Sequence, residues 1–466
     1  MVFADLFFLF AFLPAFALCY LLASLAEGNR VKNGVLVAFS LLFYAWGEPV
    51  YVFLLILCAF LNWLFGRGVD GKKKGWRTFW LVAGLLTNLA ILGTFKYLGF
   101  FADLLGRAGV VLRVPQIALP IGISFYTFQS ISYLVDVYRR ESRAQRRFRD
   151  LLLYISMFPQ LIAGPIVRYS TVAREINSRK VTWEDVAEGS FRFFVGLGQK
   201  VILATQLSEV SGLFLDGGLS GLTTAGAWVG LLAFTLQIYF DFSGYSDMAI
   251  GIGRCLGFHF RENFDHPYCC RSITDFWRRW HISLGSFFRD YLYIPLGGNR
   301  RHQFLNILAV WFLTGLWHGA SWNFIVWGLY FGLIVALEKY TVLRWNVPAV
   351  LRHSYSLLIV ILGWGIFYFT DFGQMRQFFA ILFGKAAAFS DFTVRSALLS
   401  RFWLWLAALV CCLPLGRWLY RLIGERNFLS RSVLSLSKLA LCLVLLGVSV
   451  ALLVGATNNP FIYTRF

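Results

Sequence analysis

The sequence predicts an all-α, polytopic integral membrane protein of roughly eleven transmembrane helices, with re-entrant half-helices and one amphipathic helix lying in the membrane interface. Three observations predict it. Hydrophobic residues fill 58% of the 466 positions and charged residues only 14%, a balance too apolar for a soluble domain. The lysines and arginines fall in separate loops between long apolar runs, which is the pattern of membrane topology. One of those runs breaks at Gly315-Leu-Trp317-His318-Gly-Ala-Ser321. An ionisable group at membrane depth is costly, so its default reading is functional.

The elements follow in order. The first apolar stretch, Phe3 to Leu25, carries Asp5 where a leader peptide would be basic, and it outruns an apolar leader core. It is expected to stay as a transmembrane helix, with no cleaved leader. The loop Arg67 to Arg77 holds five basic residues against one acidic, and Arg139 to Arg149 holds six against one. Both are placed in the cytoplasm. Phe79 to Leu105 and Leu119 to Val137 lie between them, so the chain leaves and returns as required. By alternation the turn Gly47-Glu48-Pro49 is outside, Glu27 to Asn33 inside, Asp216 to Gly221 outside and Arg261 to Arg301 inside. Spans near Leu357 to Phe369, Phe402 to Leu422 and Val433 to Val454 complete the set. Arg417 to Arg431 is then inside and the tail Asn458 to Phe466 outside. A single membrane domain over 1–466 is expected, with N-terminal helices in 1–137, a core in 150–335 and C-terminal helices in 338–466. The +19 net charge is absorbed by topology, and no nucleic acid is expected. The eight cysteines have neither zinc-ligand spacing nor a disulfide framework.

Two segments depart from simple spans. Arg300-Arg301 and Glu338-Lys339 both read as cytoplasmic, yet the chain between them is too short for two full crossings of about 20 residues each. A re-entrant or broken helical pair resolves this, with Gly315 to Ser321 at the apex and His318 at the bottom of a pocket. Upstream, Phe276, Trp277, Trp280, Leu284, Phe287, Phe288 and Tyr291 recur at helical spacing, with Arg278, Arg279, Ser283, Ser286 and Arg289 opposite. This predicts one interfacial helix started by Ser272 or Thr274 and stopped by Pro295, with His281 beside its aromatic stripe.

Asp275-Phe-Trp-Arg-Arg-Trp-His281-Ile-Ser-Leu284, Phe288-Arg-Asp-Tyr-Leu-Tyr-Ile-Pro-Leu-Gly-Gly298 and Trp317-His318-Gly-Ala320 resemble the signature of the membrane-bound O-acyltransferase (MBOAT) family, in its bacterial alginate-type polysaccharide O-acetylation subgroup. Further matches lie at Phe158 to Arg168, Phe240 to Asp247, Asn263 to Tyr268 and the closing Phe461-Ile-Tyr. The pattern departs at Gly285, where serine is common, and at Thr464, where an aromatic residue is usual. The resemblance implies that His318 is the catalytic histidine and His281 the family's second histidine. It also implies a multi-pass protein of the bacterial inner membrane, and a separate extracytoplasmic SGNH-type acetyltransferase as partner.

Acyl transfer explains the residue types. A hydroxyl attacks a thioester only once a base takes its proton, and a neutral imidazole in a desolvated pocket suits that task. Trp317 and Trp322 are candidates to wall the pocket against water. Arg278, Arg279, Arg300 and Arg301 suit the phosphates of acetyl-CoA, the expected donor substrate, with no bound cofactor. Asp241 and Asp247 are candidate pocket liners because Gly244 and two serines are expected to break their helix. Lys96, Gln129, Asp136 and Gln160 read as helix-packing groups. On spacing alone His318 reads equally well as an interhelical hydrogen-bond partner, and His281 as an interfacial histidine among tryptophans. A transporter or flippase of an acyl or glycan intermediate and D-alanyl transfer to teichoic acid are the alternative functions.

Overall fold

A computed structural model describes residues 2–111, 114–115, 117–341, 347–416 and 428–455. The expectations for the tail Asn458 to Phe466, for Thr464 and for most of the basic stretch Arg417 to Arg431 lie outside them. Among the described residues the regular structure is entirely helical. The chain divides into two compact units, Met1–Phe193 with Ser246–Glu262, and Phe194–Tyr245 with Asn263–Phe466.

The first unit is built from α1 (Leu13–Ser24), α2 (Arg30–Gly47), α3 (Tyr51–Val69), α4 (Lys74–Leu92), α5 (Leu98–Arg107), α6 (Ile123–Tyr138), α7 (Phe148–Ser156), the single turn α8 (Phe158–Leu161) and α9 (Tyr169–Asn177), followed by the start of α10 (Trp183–Gly198). A widened π-helical stretch, Gly93–Tyr97, joins α4 to α5. Without a hydrophobic force between helices in lipid, association relies on small residues and polar pairs. The reciprocal amides of Asn62 and Asn88, 2.8 and 3.1 Å apart, tie α3 to α4. Arg179 donates to the Asn33 side chain and to the Leu256 carbonyl at 2.7 and 3.0 Å. Two further buried polar side chains make local hydrogen bonds. Asp136 accepts from Ser170 at 3.2 Å, and Gln160 donates to the Tyr154 carbonyl at 2.5 Å.

The second unit contains α11 (Gln206–Leu215), the first part of α12 (Thr224–Cys255), α13 (Ile273–Arg279), α14 (Ile282–Phe288), α15 (Gln303–His318), α16 (Trp322–Tyr340), α17 (Ala349–Tyr368), α18 (Phe372–Leu382), α19 (Phe392–Leu399), α20 (Phe402–Cys411) and α21 (Phe428–Gly455). Its core is aromatic. Trp327, Trp364, Phe331, Phe276 and Phe367 are buried, and Trp327 stacks on Trp364 at 6.2 Å between ring centroids.

Five described helices are long and apolar enough to cross a bilayer: α3, the combined Lys74–Arg107, α12, α17 and Ser432–Gly455. A sixth crossing arises if α19 and α20, bent by 60°, count as one broken span. The expected count near eleven included several apolar runs that fold as shorter pieces, such as α1. The short pair between Arg301 and Glu338 is present as expected. At 1.5 Å per residue α15 is about 24 Å long, less than the hydrocarbon core of about 30 Å.

Two expectations need correction. α12 runs unbroken through Gly244. A Cβ there would lie 2.7 Å from the Gly196 carbonyl oxygen, so this glycine permits close helix packing and interrupts nothing. The interfacial helix, in contrast, is broken. α13 ends at Arg279 and α14 starts at Ile282, with His281 between them at φ +44°. All eight cysteines are free thiols.

Candidate active site

α13 owes its start to an adjacent cap and to one distant carboxylate. Ser272 caps it by accepting from Asp275 N at 2.9 Å. The buried Glu338 carboxylate, at the far end of α16, accepts from Ile273 N at 2.6 Å, Thr274 N at 2.8 Å and Thr274 Oγ1 at 2.7 Å. A carboxylate at a helix N-terminus meets the positive end of the helix dipole. Glu338→Gln replaces one accepting oxygen with a donor facing donors. It is expected to lower stability by about 1.5–3 kcal/mol, seen as a lower thermal midpoint of the purified protein.

The break after α13 is held by Asn263. Its carbonyl accepts from Ile282 N at 2.9 Å, and its Oδ1 accepts from Ser283 N at 3.2 Å and Ser283 Oγ at 2.8 Å. These bonds restart the helix and leave His281 in the left-handed conformation, 6% exposed. Ser283 Oγ lies 3.4 Å from His281 Nδ1. The hydroxyl hydrogen is directed at Asn263, so Nδ1–H donates to the hydroxyl oxygen and Nε2 keeps its lone pair. Burial pushes the His281 imidazole down to about 4, so it is neutral near pH 7. The unfolded chain takes up a proton at the ordinary value of 6.5 that the folded chain refuses until about 4. The stability contributed by keeping His281 neutral is therefore fully present above pH 6.5 and is lost as pH falls from 6.5 to 4. Thermal midpoints measured across that range should fall for the native protein, and His281→Asn should flatten the fall.

His318 is the last residue of α15, at an apex formed by Gly319, Ala320 and Ser321. Its ring stands edge-on to Trp327 at 5.0 Å and Phe367 at 5.3 Å, and next to Trp317 at 4.8 Å. α15 approaches α16 closely enough to seat it there. A Cβ on Gly315 would run into the Phe324 carbonyl oxygen, and one on Gly328 into the Trp311 carbonyl oxygen. Asn323, fully buried, donates to the Phe367 carbonyl at 3.2 Å, which fixes the ring packed on His318.

His281 and His318 line one cavity of about 450 Å³, together with Trp277, Arg278, Trp311 and Lys339. The structure thus brings both sequence-predicted histidines and one of the four candidate arginines, Arg278, to a single concave space. Arg279 is not in its lining and pairs with Asp275 at 2.9 Å, one turn away. Trp317 is buried behind the wall, with its ring 6.1 Å from His281 and 4.8 Å from His318. Trp322 is 41% exposed and, like Arg300 and Arg301, lies outside the lining. Gly285 lines the cavity, and a Cβ there would meet only the Trp277 carbonyl at 3.8 Å, so a serine would fit. Asp241 and Asp247 are elsewhere. Asp241 forms a buried ion pair with Lys200, and Asp247 accepts from Arg192 Nη2 at 2.7 Å. Both serve helix packing, and neither lines this cavity. Glu338, Asn263 and Asn323 were not singled out by sequence reasoning. Glu338 was read only as a loop marker and Asn263 only as part of a motif.

The all-helical fold thus carries two histidines and cationic groups into one pocket, an arrangement suited to acyl transfer. Residues 52–372 match the MBOAT, membrane-bound O-acyltransferase family. A probable alginate O-acetylase, AlgI, of Azotobacter vinelandii is 41% identical over 84% of this chain and 79% of its own length. A peptidoglycan O-acetyltransferase of Helicobacter pylori is 36% identical over 71% of this chain and 69% of its own. A teichoic acid D-alanyltransferase of Bacillus subtilis is 28% identical over 48% of this chain and 60% of its own. The chain belongs to the MBOAT family and is an acyltransferase.

Proposed function

We propose that the protein transfers acetyl from cytoplasmic acetyl-CoA to an extracytoplasmic acceptor for O-acetylation of an exported or cell-surface polysaccharide, across a bacterial inner membrane. The observation that carries this reading is the convergence of His281 and His318 on one cavity that also presents Arg278 and Lys339. In the proposed step His318 takes the proton of the acceptor hydroxyl, whose oxygen attacks the thioester carbonyl. The C–S bond breaks, and the proton passes to the departing thiolate. The neutral His281, with Nδ1–H held by Ser283, orients the donor within the cavity. Arg278 and Lys339 provide positive charge for the donor's phosphates. The aromatic walls exclude water and so limit hydrolysis.

Acetylation relatives favour acetyl over D-alanyl transfer, since they match a larger share of this chain at higher identity. A separate SGNH-type acetyltransferase outside the membrane is the proposed partner that passes acetyl to the glycan. Inside-out and right-side-out membrane vesicles given labelled acetyl-CoA test the sidedness. Label should enter acceptor only when acetyl-CoA meets the cytoplasmic face, and equal transfer from both faces would contradict the reading.

A further inference from the structure

The first unit contains a second cavity that the acyl-transfer reading does not use. It measures about 290 Å³ and is lined by Arg67, Asp70, Gly71, Ala144, Gln145 and Arg146. It forms where the two most basic loops are fastened together. Arg140 donates to Asp70 Oδ1 at 2.8 Å and to the Gly71 carbonyl at 3.1 Å. Trp63 Nε1 donates to the Arg146 carbonyl at 3.3 Å, and Gln145 is held by the hydroxyls of Tyr133 and Tyr169. The Asp70 carboxylate in the wall is therefore already neutralised by Arg140. Arg67 lies over the Trp63 ring at 5.0 Å. Among the described residues neither Arg67 nor Arg146 pairs with a carboxylate. Two arginines thus line one polar space whose carboxylate, Asp70, is already paired with Arg140.

What leads to that space identifies the occupant. Phe53, Leu57, Phe60 and Leu64 are 72, 49, 41 and 41% exposed, and they recur at four, three and four along α3. The next step of three reaches Arg67. Side chains at that spacing share one helix face, so an apolar stripe on the outside of the helix ends at the cationic cavity. Trp76 and Phe79, 59 and 56% exposed, follow the neighbouring basic residues Lys72, Lys73 and Lys74, as aromatic residues do at a membrane interface. A free phosphate would use the arginines alone. A lipid uses both features, with its phosphate between the guanidinium groups and an acyl chain along the stripe.

We infer that this cavity binds the phosphate headgroup of an anionic phospholipid from the basic, cytoplasmic side of the membrane. Diffuse attraction between basic loops and anionic lipid exists in any such protein. This site differs in having a defined pocket and a stripe beside it. Anionic and choline phospholipids both present a phosphate to the guanidinium groups, but the choline ammonium offsets its charge, so the anionic headgroup is favoured.

The test is equilibrium binding of a fluorescent dioctanoyl-phosphatidylglycerol to the full chain in detergent, with unlabelled competitors. Phosphatidylglycerol should compete, phosphatidylcholine should compete on the order of tenfold more weakly, and inorganic phosphate should not displace the probe. R67Q/R146Q should weaken binding on the order of tenfold, while K72Q/K73Q, which removes the same charge outside the cavity, should change it by less than roughly twofold. Among the described residues neither the Arg67 nor the Arg146 side chain hydrogen-bonds a backbone group, so neutralising them is expected to leave the fold in place. Equal losses in the two double variants, or equal competition by phosphatidylcholine, would overturn the site. Displacement by phosphate as effective as by lipid would overturn the lipid as its occupant.

Discussion

His318→Ala is expected to lower the acetyl-transfer kcat by about 10²–10⁴-fold, the range that a positioned general base contributes, while the protein still inserts in the membrane at its normal level. In cells, O-acetyl content of the product should fall to background. The reasons are local. His318 ends α15 on the wall of the cavity, and Trp317, Trp327 and Phe367 surround its ring. On the proposed role, truncating it removes the base and leaves Arg278 and Lys339 in place, so KM for acetyl-CoA should change little beside kcat. A purely structural histidine would give the opposite result, in which lost stability and lost protein level accompany a nearly normal kcat in the surviving fraction.

Gly315→Ala is the second large effect. A Cβ on Gly315 would press on the Phe324 carbonyl and lie 3.3 Å from the Ile325 Cα. Both are backbone atoms, which cannot swing aside as the tip of a side chain does. Overpacking of this kind costs about 1–3 kcal/mol. Separating α15 from α16 also moves His318, three residues on, and a displacement near 1 Å can cost about 10²-fold in rate. Both a lower thermal midpoint and a lower kcat are expected. Gly93→Ala, where a new Cβ meets nothing within 4 Å, is the matched control and should alter neither.

These two effects come from the region that was most legible in the sequence. The chain between Arg301 and Glu338 is too short to cross twice, and that arithmetic needs no partner residue. It located the hairpin, its apex and His318. The cap at Ser272 was readable for the same reason, since an N-cap is local chemistry. What escaped depends on groups far away along the chain. The apolar spacing from Phe276 to Tyr291 continues across the break at His281, so periodicity alone predicts one helix. The interruption is imposed by Asn263, 20 residues before Ser283. Asp241 and Asp247 read as pocket liners because Gly244 and two serines suggest a broken helix, while their partners, Lys200 and Arg192, lie on earlier segments. The role of Glu338 depends on α13 folding back to its carboxylate, 65 residues from Ile273. Span number was least legible, because an apolar run gives hydrophobicity but not where the helix stops. Charge read as topology also hid structure: the loops around Arg67 and Arg146 carry a defined cavity as well as a sidedness signal.

Donor binding and acyl transfer separate at His318 if it is the base. Wild-type and His318→Ala protein in proteoliposomes, supplied with labelled acetyl-CoA and acceptor, should bind the donor with similar affinity. Only the wild type should move label to acceptor at more than the uncatalysed rate. Transfer by His318→Ala at the wild-type rate would contradict the assignment of His318 as the base and of this cavity as the place where acyl transfer occurs.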